Sequence, residues 1–244
     1  MNRDYLMFDI RRTLRNRRVL IFSILMPLIL FGIFGTTIPK DAREGGISAV
    51  AYVMVSMAMF GSMSAAMSSG GVIATERDGG WNRTLRLTPL KPQAYVVNKV
   101  ILSLLLAVPP LIVVFLSGVT FGHVHLSAGQ WMTVALVSWL GALPFAAIGL
   151  VIGYVATPDS VQPITGLSTM LIAAFGGLWY PVEQMPSIMK HIAQLTPAYW
   201  TGLTSRSALT ESGVDTQALL VVLGWTLVLG FIGLRRFRAD TARV

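Results

Sequence analysis

The stretch TERDGGWNRTLRLTPLKP, residues 75–92, is a charged interruption in a chain that is otherwise strongly apolar. Its charged side chains alternate with Trp81 and Leu85, which are spaced as on one face of a helix, and prolines close the stretch. This mixture is typical of a short helix that contacts both a membrane surface and a soluble partner. We therefore predict a short cytoplasmic helix between two membrane spans.

Six apolar segments surround this stretch, and each is long enough, or nearly so, to cross a bilayer. About 20 residues span a hydrocarbon core of ~30 Å, because a helix rises ~1.5 Å per residue. The segments are 19–37, 49–74, 95–121, 131–155, 161–179 and 218–234. They are continuously apolar, which favours helices over a barrel. The sequence thus predicts one all-α integral membrane domain over residues 1–244.

The composition agrees with a membrane protein. The chain is 54% hydrophobic and 12% charged, with a mean hydropathy of +0.66, whereas soluble domains carry about 25% charged residues. Fifteen of the 19 Lys and Arg residues fall on one side if the chain crosses six times. The positive-inside rule places that side, with both termini, in the cytoplasm. This distribution explains the net charge of +8 without a nucleic-acid partner.

The first 18 residues predict an amphipathic helix in the membrane interface. Leu6, Met7, Ile10 and Leu14 share one helical face, and Asp9 lies off it. A basic helix of this kind can lie against anionic lipid headgroups. The alternative is an ordinary basic flank that only sets the topology.

The outer segment 180–217 predicts short re-entrant helices. Ile188, Met189, Ile192 and Leu195 form one apolar stripe at helical spacing, and prolines flank it. We expect the stripe to be a packing face and the segment to act as an extracellular gate. Glu183 has two possible roles, which are capping the helix that begins near Pro186 or meeting a polar group of a substrate. The candidate gate residues are Pro181, Glu183, Pro186, Pro197 and Tyr199.

The second apolar segment is rich in methionine and small residues. Small residues let membrane helices approach closely, and flexible methionine suits adaptable apolar surfaces. The pattern fits either packing or a substrate path, and both interpretations stay open. The candidate path residues are Met54, Met57, Phe60, Met63, Met67 and Phe175.

Catalytic and cofactor motifs are missing from the sequence. No Gly-Lys pair occurs, so a P-loop for ATP is excluded. The apolar segments hold one ionisable residue, Lys99, which we expect to extend towards the interface. A proton-coupled carrier is therefore disfavoured, and we expect neither an enzyme nor a bound cofactor or metal. The energy for any transport must come from another chain.

Two motifs in the corresponding loops of a six-span chain resemble those of type-2 ABC exporter permeases, the membrane subunits of bacterial drug, antibiotic and polysaccharide export systems. The cytoplasmic motif comprises Glu76-Arg77, Gly80, Leu85, Thr88-Pro89 and Lys99. The outer motif comprises Pro181-Val182-Glu183-Gln184-Met185-Pro186 and Pro197-Ala198-Tyr199. Trp81 departs from the family pattern, in which Thr follows the glycine.

The resemblance implies a multi-pass protein of the bacterial plasma membrane. It implies an assembly of two permease subunits, which we expect to be identical, and two separate ATPase subunits that bind ATP and Mg²⁺. A cavity would lie between the two copies of spans one, two and five. The residues expected to contact the ATPase are Glu76, Arg77, Asp78, Gly80, Trp81, Arg83, Leu85, Arg86 and Pro89.

Several substrates and roles are compatible with this resemblance. The uncharged spans favour a lipophilic compound, such as a drug, an antibiotic or a lipid, and hence a role in multidrug export or antibiotic resistance. Polysaccharide or sodium export is an alternative within the family. A membrane sensor or scaffold subunit that transports nothing is an alternative outside it.

Overall fold

The computed structural model of the chain describes residues 3–14, 17–39, 41–44, 46–80, 92–210 and 212–242. Two short strands, β1 (Arg43–Glu44) and β2 (Ile47–Ser48), pair antiparallel. A 3-10 turn covers Val182–Gln184. The helices of the described residues are α1 (Arg3–Leu14), α2 (Arg17–Thr37), α3 (Ala49–Asp78), α4 (Pro92–Thr120), α5 (Ala128–Leu140), α6 (Leu143–Val155), α7 (Pro158–Phe175), α8 (Ser187–Gln194), α9 (Pro197–Ser207) and α10 (Thr216–Ala242).

The helices confirm an all-α membrane architecture. Within the described ranges, four helical stretches are long and apolar enough to cross a membrane, namely Ala49–Asp78, Ala94–Thr120, Ala128–Val155 and Thr216–Ala239. Helix α2 has a shorter apolar stretch, Ile21–Thr37, and α7 has 18 residues. Crossings by α2 and α7, which would complete the six predicted spans, stay a prediction.

The fourth predicted span consists of two helices. Helix α5 ends at Leu140, and α6 begins at Leu143. Pro144 lies in the first turn of α6, where its missing N–H costs nothing. In one continuous helix the same proline would remove a backbone hydrogen bond and clash with the preceding turn. The break therefore follows from Pro144 and from Gly141, which caps the end of α5.

Helix α3 lies at the centre of the bundle, in contact with α2, α4, α6 and α7. Its most apolar stretch is 89% buried inside the protein, against 17% for α10. Glycines bring α3 and α6 together. A Cβ on Gly149 would lie 2.7 Å from the carbonyl oxygen of Met67, and one on Gly153 would lie 2.6 Å from that of Gly70. Only glycine permits this backbone contact.

Prolines begin the helices of the outer segment. Pro186 is the residue before α8, and Pro197 is the first residue of α9. The predicted short helices are present, but the apolar stripe of α8 does not pack inside the chain. Ile188 and Leu195 are each 74% exposed, and Ala193 is the buried residue of α8. The stripe is therefore exposed in this single chain, and its role as a packing face stays a prediction.

Candidate functional site

A network of charged side chains joins three helices at the C-terminal end of α3. Helix α3 contributes Glu76, α4 contributes Tyr95 and Lys99, and α1 contributes Asp9 and Arg12. The side chains of Asp9, Glu76 and Lys99 are at most 3% exposed. Two carboxylates and two cations balance each other, so the network has no formal net charge.

Lys99 is the centre of this network. Its Nζ donates to Asp9 Oδ2 at 2.7 Å and to Glu76 Oε1 at 3.0 Å. Glu76 also accepts from Arg12 at 3.0 Å and from the Tyr95 hydroxyl at 2.6 Å. Buried charges are tolerated when they are paired and hydrogen-bonded in this way. The network therefore fixes α1 against the ends of α3 and α4.

One of the predictions about these residues is wrong. Lys99 does not extend to the interface, because its side chain is fully buried between two carboxylates. The predicted apolar face does not decide which side of α1 is buried, since Asp9, off that face, is 1% exposed, whereas Met7, on it, is 51% exposed. Helix α1 therefore packs on the bundle through Asp9, and through Ile10 against the buried Leu102 and Leu106 of α4.

The predicted ATPase contact divides into an internal and an external part. Glu76 faces the protein interior, so it can act on a partner only through the helices that it joins. Arg77 donates to the carbonyl oxygen of Gly153 at 3.1 Å and lies over the ring of Tyr154. Asp78 is exposed, and Gly80 has a φ of +69°. The remaining predicted contact residues, Trp81, Arg83, Leu85, Arg86 and Pro89, lie outside the described residues.

A cavity of about 620 Å³ lies between α2, α3 and α7. Phe60, Ser64 and Ser68 of α3 form one wall, and Thr165 of α7 lies opposite. Trp179 reaches the cavity because the chain turns after α7 at Gly177, whose φ is +76°. Its ring packs edge-on against Phe60 at 5.4 Å. The described lining residues include no ionisable side chain.

Two buried polar groups of residues that line this cavity lack partners within the described chain. They are the indole N–H of Trp179 and the hydroxyl of Thr165. An unpaired buried polar group costs about 1–3 kcal/mol. The described lining combines apolar side chains with a small number of polar ones.

The predicted substrate path agrees only partly with this cavity. Phe60 lines the cavity, and Phe175 is 37% exposed at the end of α7. Four methionines of the predicted path are at most 1% exposed and pack inside the subunit, so they offer no surface to a passing molecule in this conformation. They are Met54, Met57, Met63 and Met67.

The predicted gate residues lie around the outer helices, but Glu183 does not cap α8. No side-chain hydrogen bond caps the start of α8 at Pro186, and the Glu183 side chain is exposed. Pro181 precedes the 3-10 turn. At α9, the Thr196 hydroxyl accepts from the backbone N–H of Tyr199 at 3.3 Å, beside Pro197.

The sequence did not reveal the partners of Lys99 or most of the cavity lining. For Lys99, the order of the helices along the chain could have indicated Glu76 as a partner. Helices α3 and α4 follow each other among the described helices, so Glu76, near the end of one, and Lys99, near the start of the next, fall at the same level in an antiparallel pair. The lining residues Ser64, Thr165 and Trp179 gave no such signal, because isolated polar residues are common in membrane helices.

Comparison with known proteins identifies the family. Residues 5–209 match the family described as ABC-2 type transporter. The chain is also similar to a protein of Bacillus subtilis (strain 168) named "Putative transport permease YvfS", with 28% identity over 221 residues that cover 90% of each chain. The match extends from α1 to the end of α9 and includes both the charged network and the cavity. The chain therefore belongs to the ABC-2 type transporter family and has the character of a type-2 ABC permease.

Proposed function

We propose that this chain is the permease subunit of an exporter that moves an uncharged, lipophilic compound, such as a drug, an antibiotic or a lipid-like molecule. The compound would leave from the cytoplasm or the inner leaflet. The observation that carries this proposal is the cavity between α2, α3 and α7, whose described lining is largely apolar and has no ionisable side chain. An ion in such a cavity would lose its hydration without gaining a counter-charge.

The hydrogen-bonding groups of the cavity narrow the substrate class. Trp179 supplies a donor only, whereas Thr165 supplies a hydroxyl that can donate or accept. Ser64 and Ser68 add hydroxyl groups on the opposite wall. A compound with one or two carbonyl, ether or hydroxyl oxygens on a large apolar body matches these groups.

A second copy of the chain would complete the transport pathway. Helices α2 and α7 form the sides of the cavity and also carry outward-facing apolar residues, such as Phe22 at 63% and Met170 at 55% exposure. A homodimer that brings these helices together would enclose the cavity between two subunits. We propose the same orientation as the sequence suggests, with six crossings and both termini in the cytoplasm.

Helix α3 would transmit movement from an ATPase to the cavity. It carries Phe60 and Ser64 at the cavity and Glu76 in the charged network, within one helix of 30 residues. A separate ATPase, present in two copies with ATP and Mg²⁺, would push on the segment that follows α3. The proposed contacts are Arg77, Asp78, Gly80, Trp81, Arg83, Leu85, Arg86 and Pro89, with Glu76 acting from inside.

A pair of tryptophan variants tests the cavity. Trp179→Phe removes an indole N–H from the cavity, and Trp200→Phe removes one that donates to Gln194 on the surface, at 2.7 Å. The permease would be reconstituted with its partner ATPase. Substrate-stimulated ATP hydrolysis would be measured with uncharged lipophilic compounds and with their charged analogues.

The expected result follows from the hydrogen bond that is lost. A net contribution of 0.5–1.5 kcal/mol predicts a half-saturating concentration raised roughly 2- to 12-fold in Trp179→Phe for compounds with an acceptor oxygen. Trp200→Phe should match the wild type. Equal behaviour of the two variants, or stimulation by the charged analogues alone, would contradict the proposed cavity.

A further inference from the structure

A second cavity, of about 520 Å³, lies at the end of α3 opposite to the charged network. It is enclosed by the first turns of α3, the last turns of α9 and the start of α10. Tyr52 and Arg206 line it from inside, and Glu44 and Glu183 line it nearer to solvent. This cavity shares no lining residue with the one between α2, α3 and α7.

Arg206 is a buried cation without a buried counter-charge. It is 5% exposed, and its guanidinium makes one hydrogen bond, to the Ser56 hydroxyl at 3.3 Å, with no ion pair to any described carboxylate. The guanidinium also lies 4.4 Å from the centre of the Tyr52 ring. A guanidinium has five N–H donors and stays charged at every physiological pH. Most of its donors therefore have no partner in the described chain.

Tyr52 provides an independent second donor. The residue is 6% exposed, and its hydroxyl oxygen is buried without a hydrogen-bond partner in the part of the chain that the structure describes. Buried tyrosine hydroxyls usually have a partner. Tyr52 and Arg206 line the same cavity. Together they are suited to the oxygen atoms of an anionic group.

The acidic residues of the cavity argue against a simple anion. Glu44 accepts from Gln184 at 3.2 Å, and Glu183 is exposed. The Asp215 carboxylate already accepts a hydrogen bond from the backbone N–H of Ala218 at the start of α10. The carboxylates of Glu44 and Glu183 would repel a free anion but attract an ammonium group. A ligand that carries both an anionic group and an ammonium group can pair with Arg206 and with the two glutamates.

We propose that this cavity binds a compact zwitterion. Its phosphate or carboxylate contacts the Arg206 guanidinium and the Tyr52 hydroxyl, and its ammonium group contacts Glu44 and Glu183. The same chemistry occurs in the headgroup of an aminophospholipid and in free amino-acid-like or phosphoamine compounds. The site is separate from the transport cavity, so it can exist whether or not the transport proposal is correct.

Calorimetric titration of the purified full-length protein tests this proposal with O-phosphoethanolamine as the probe. Inorganic phosphate and ethanolamine each carry one half of its charge pattern. We expect phosphoethanolamine to bind at least 10-fold more tightly than either. Arg206→Gln should reduce its affinity to that of ethanolamine, and Glu183→Gln, which leaves Glu44 in the cavity, should narrow the difference in affinity between phosphoethanolamine and phosphate. Asp159→Asn, which removes an exposed carboxylate on α7, is the matched control and should change nothing.

Membrane nanodiscs distinguish the two sources of the zwitterion. If the source is lipid, phosphatidylethanolamine should be retained over phosphatidylglycerol by the wild type and by Asp159→Asn. This retention should be lost from Arg206→Gln and weakened in Glu183→Gln. If phosphoethanolamine binds without such retention, a free zwitterion is the ligand. Equal affinity for phosphate and phosphoethanolamine overturns the proposal, as does the absence of both binding and lipid retention. Should Arg206→Gln fail to fold, Glu183→Gln alone decides, because unchanged preference for the zwitterion in that variant overturns it.

Discussion

Replacing Lys99 by methionine is the sharpest test of the charged network at the end of α3. The substitution keeps an apolar chain of similar length but removes the cation that pairs with Asp9 and Glu76. The network would change from neutral to a net charge of −1, with both carboxylates still buried. Arg12 compensates Glu76 only in part, because its side chain is 44% exposed to solvent.

The size of the effect follows from burial. Removing one partner of a buried ion pair costs about 3–5 kcal/mol, because a buried charge is left uncompensated. For a chain of this length, each kcal/mol lowers the melting temperature by about 2–4 °C, which gives a shift of roughly 6–20 °C for Lys99→Met. An exposed pair contributes about 0–1 kcal/mol. Arg12→Gln should therefore lower the melting temperature by at most a few degrees.

Thermal unfolding in one detergent, followed by intrinsic tryptophan fluorescence, measures both variants. Asp78→Asn is a suitable control, because Asp78 is an exposed carboxylate two residues after Glu76. The expected order of destabilisation is Lys99→Met, then Arg12→Gln, then Asp78→Asn. A Lys99→Met protein that melts within 1 °C of the wild type would show that the buried network does not hold α1 on the bundle.

Three further experiments test the packing, the coupling and the topology. Gly149→Ala should destabilise the protein by about 1–3 kcal/mol in the same unfolding assay, because the new Cβ would overlap the backbone of α3, whereas Gly224→Ala has open space around it; equal melting temperatures would contradict the close contact. Leu85→Asp should leave ATPase binding intact but abolish transport in reconstituted vesicles, and transport at the wild-type rate would argue against coupling there. The chain has no cysteine, so Asp159→Cys should react with an impermeant thiol reagent only in opened cells and Lys190→Cys in intact cells; the reverse pattern would refute the orientation.

Much of the helix content could be predicted because lipid imposes a simple rule on the backbone. Continuous apolar stretches indicated α3, α4 and α10 to within a few residues at their N-terminal ends. The ends that continue beyond the membrane were underestimated. Helix α3 extends to Asp78 and α10 to Ala242, since charged residues end an apolar stretch without ending a helix. The break before α6 was missed, because Pro144 is compatible with either a kink or a new start.

Side-chain partners were harder to predict than helices. A methionine-rich helix gives the same pattern whether its methionines contact a substrate or a neighbouring helix, and the difference depends on which helices surround it. Asp9 was expected off the apolar face of α1, where water is one favourable surrounding for a carboxylate. A buried lysine on another helix is an equally favourable one, and local spacing contains no information about it. The outer cavity around Arg206 likewise depends on three segments that are distant in sequence.

The enclosure of α3 by the rest of the chain determines which amino-acid substitutions this helix tolerates. The other long helices present part of their surface to lipid, where one large apolar side chain can replace another with little effect. Almost every position on the central helix instead meets protein, so volume and shape decide which residue fits there. Variation in bilayer thickness or lipid composition should act first on the more exposed helices, such as α4 and α10, and reach α3 only through the helices that surround it. Substitutions in α3 should therefore be limited by side-chain volume, as in the core of a soluble protein, although α3 lies at the centre of a membrane bundle.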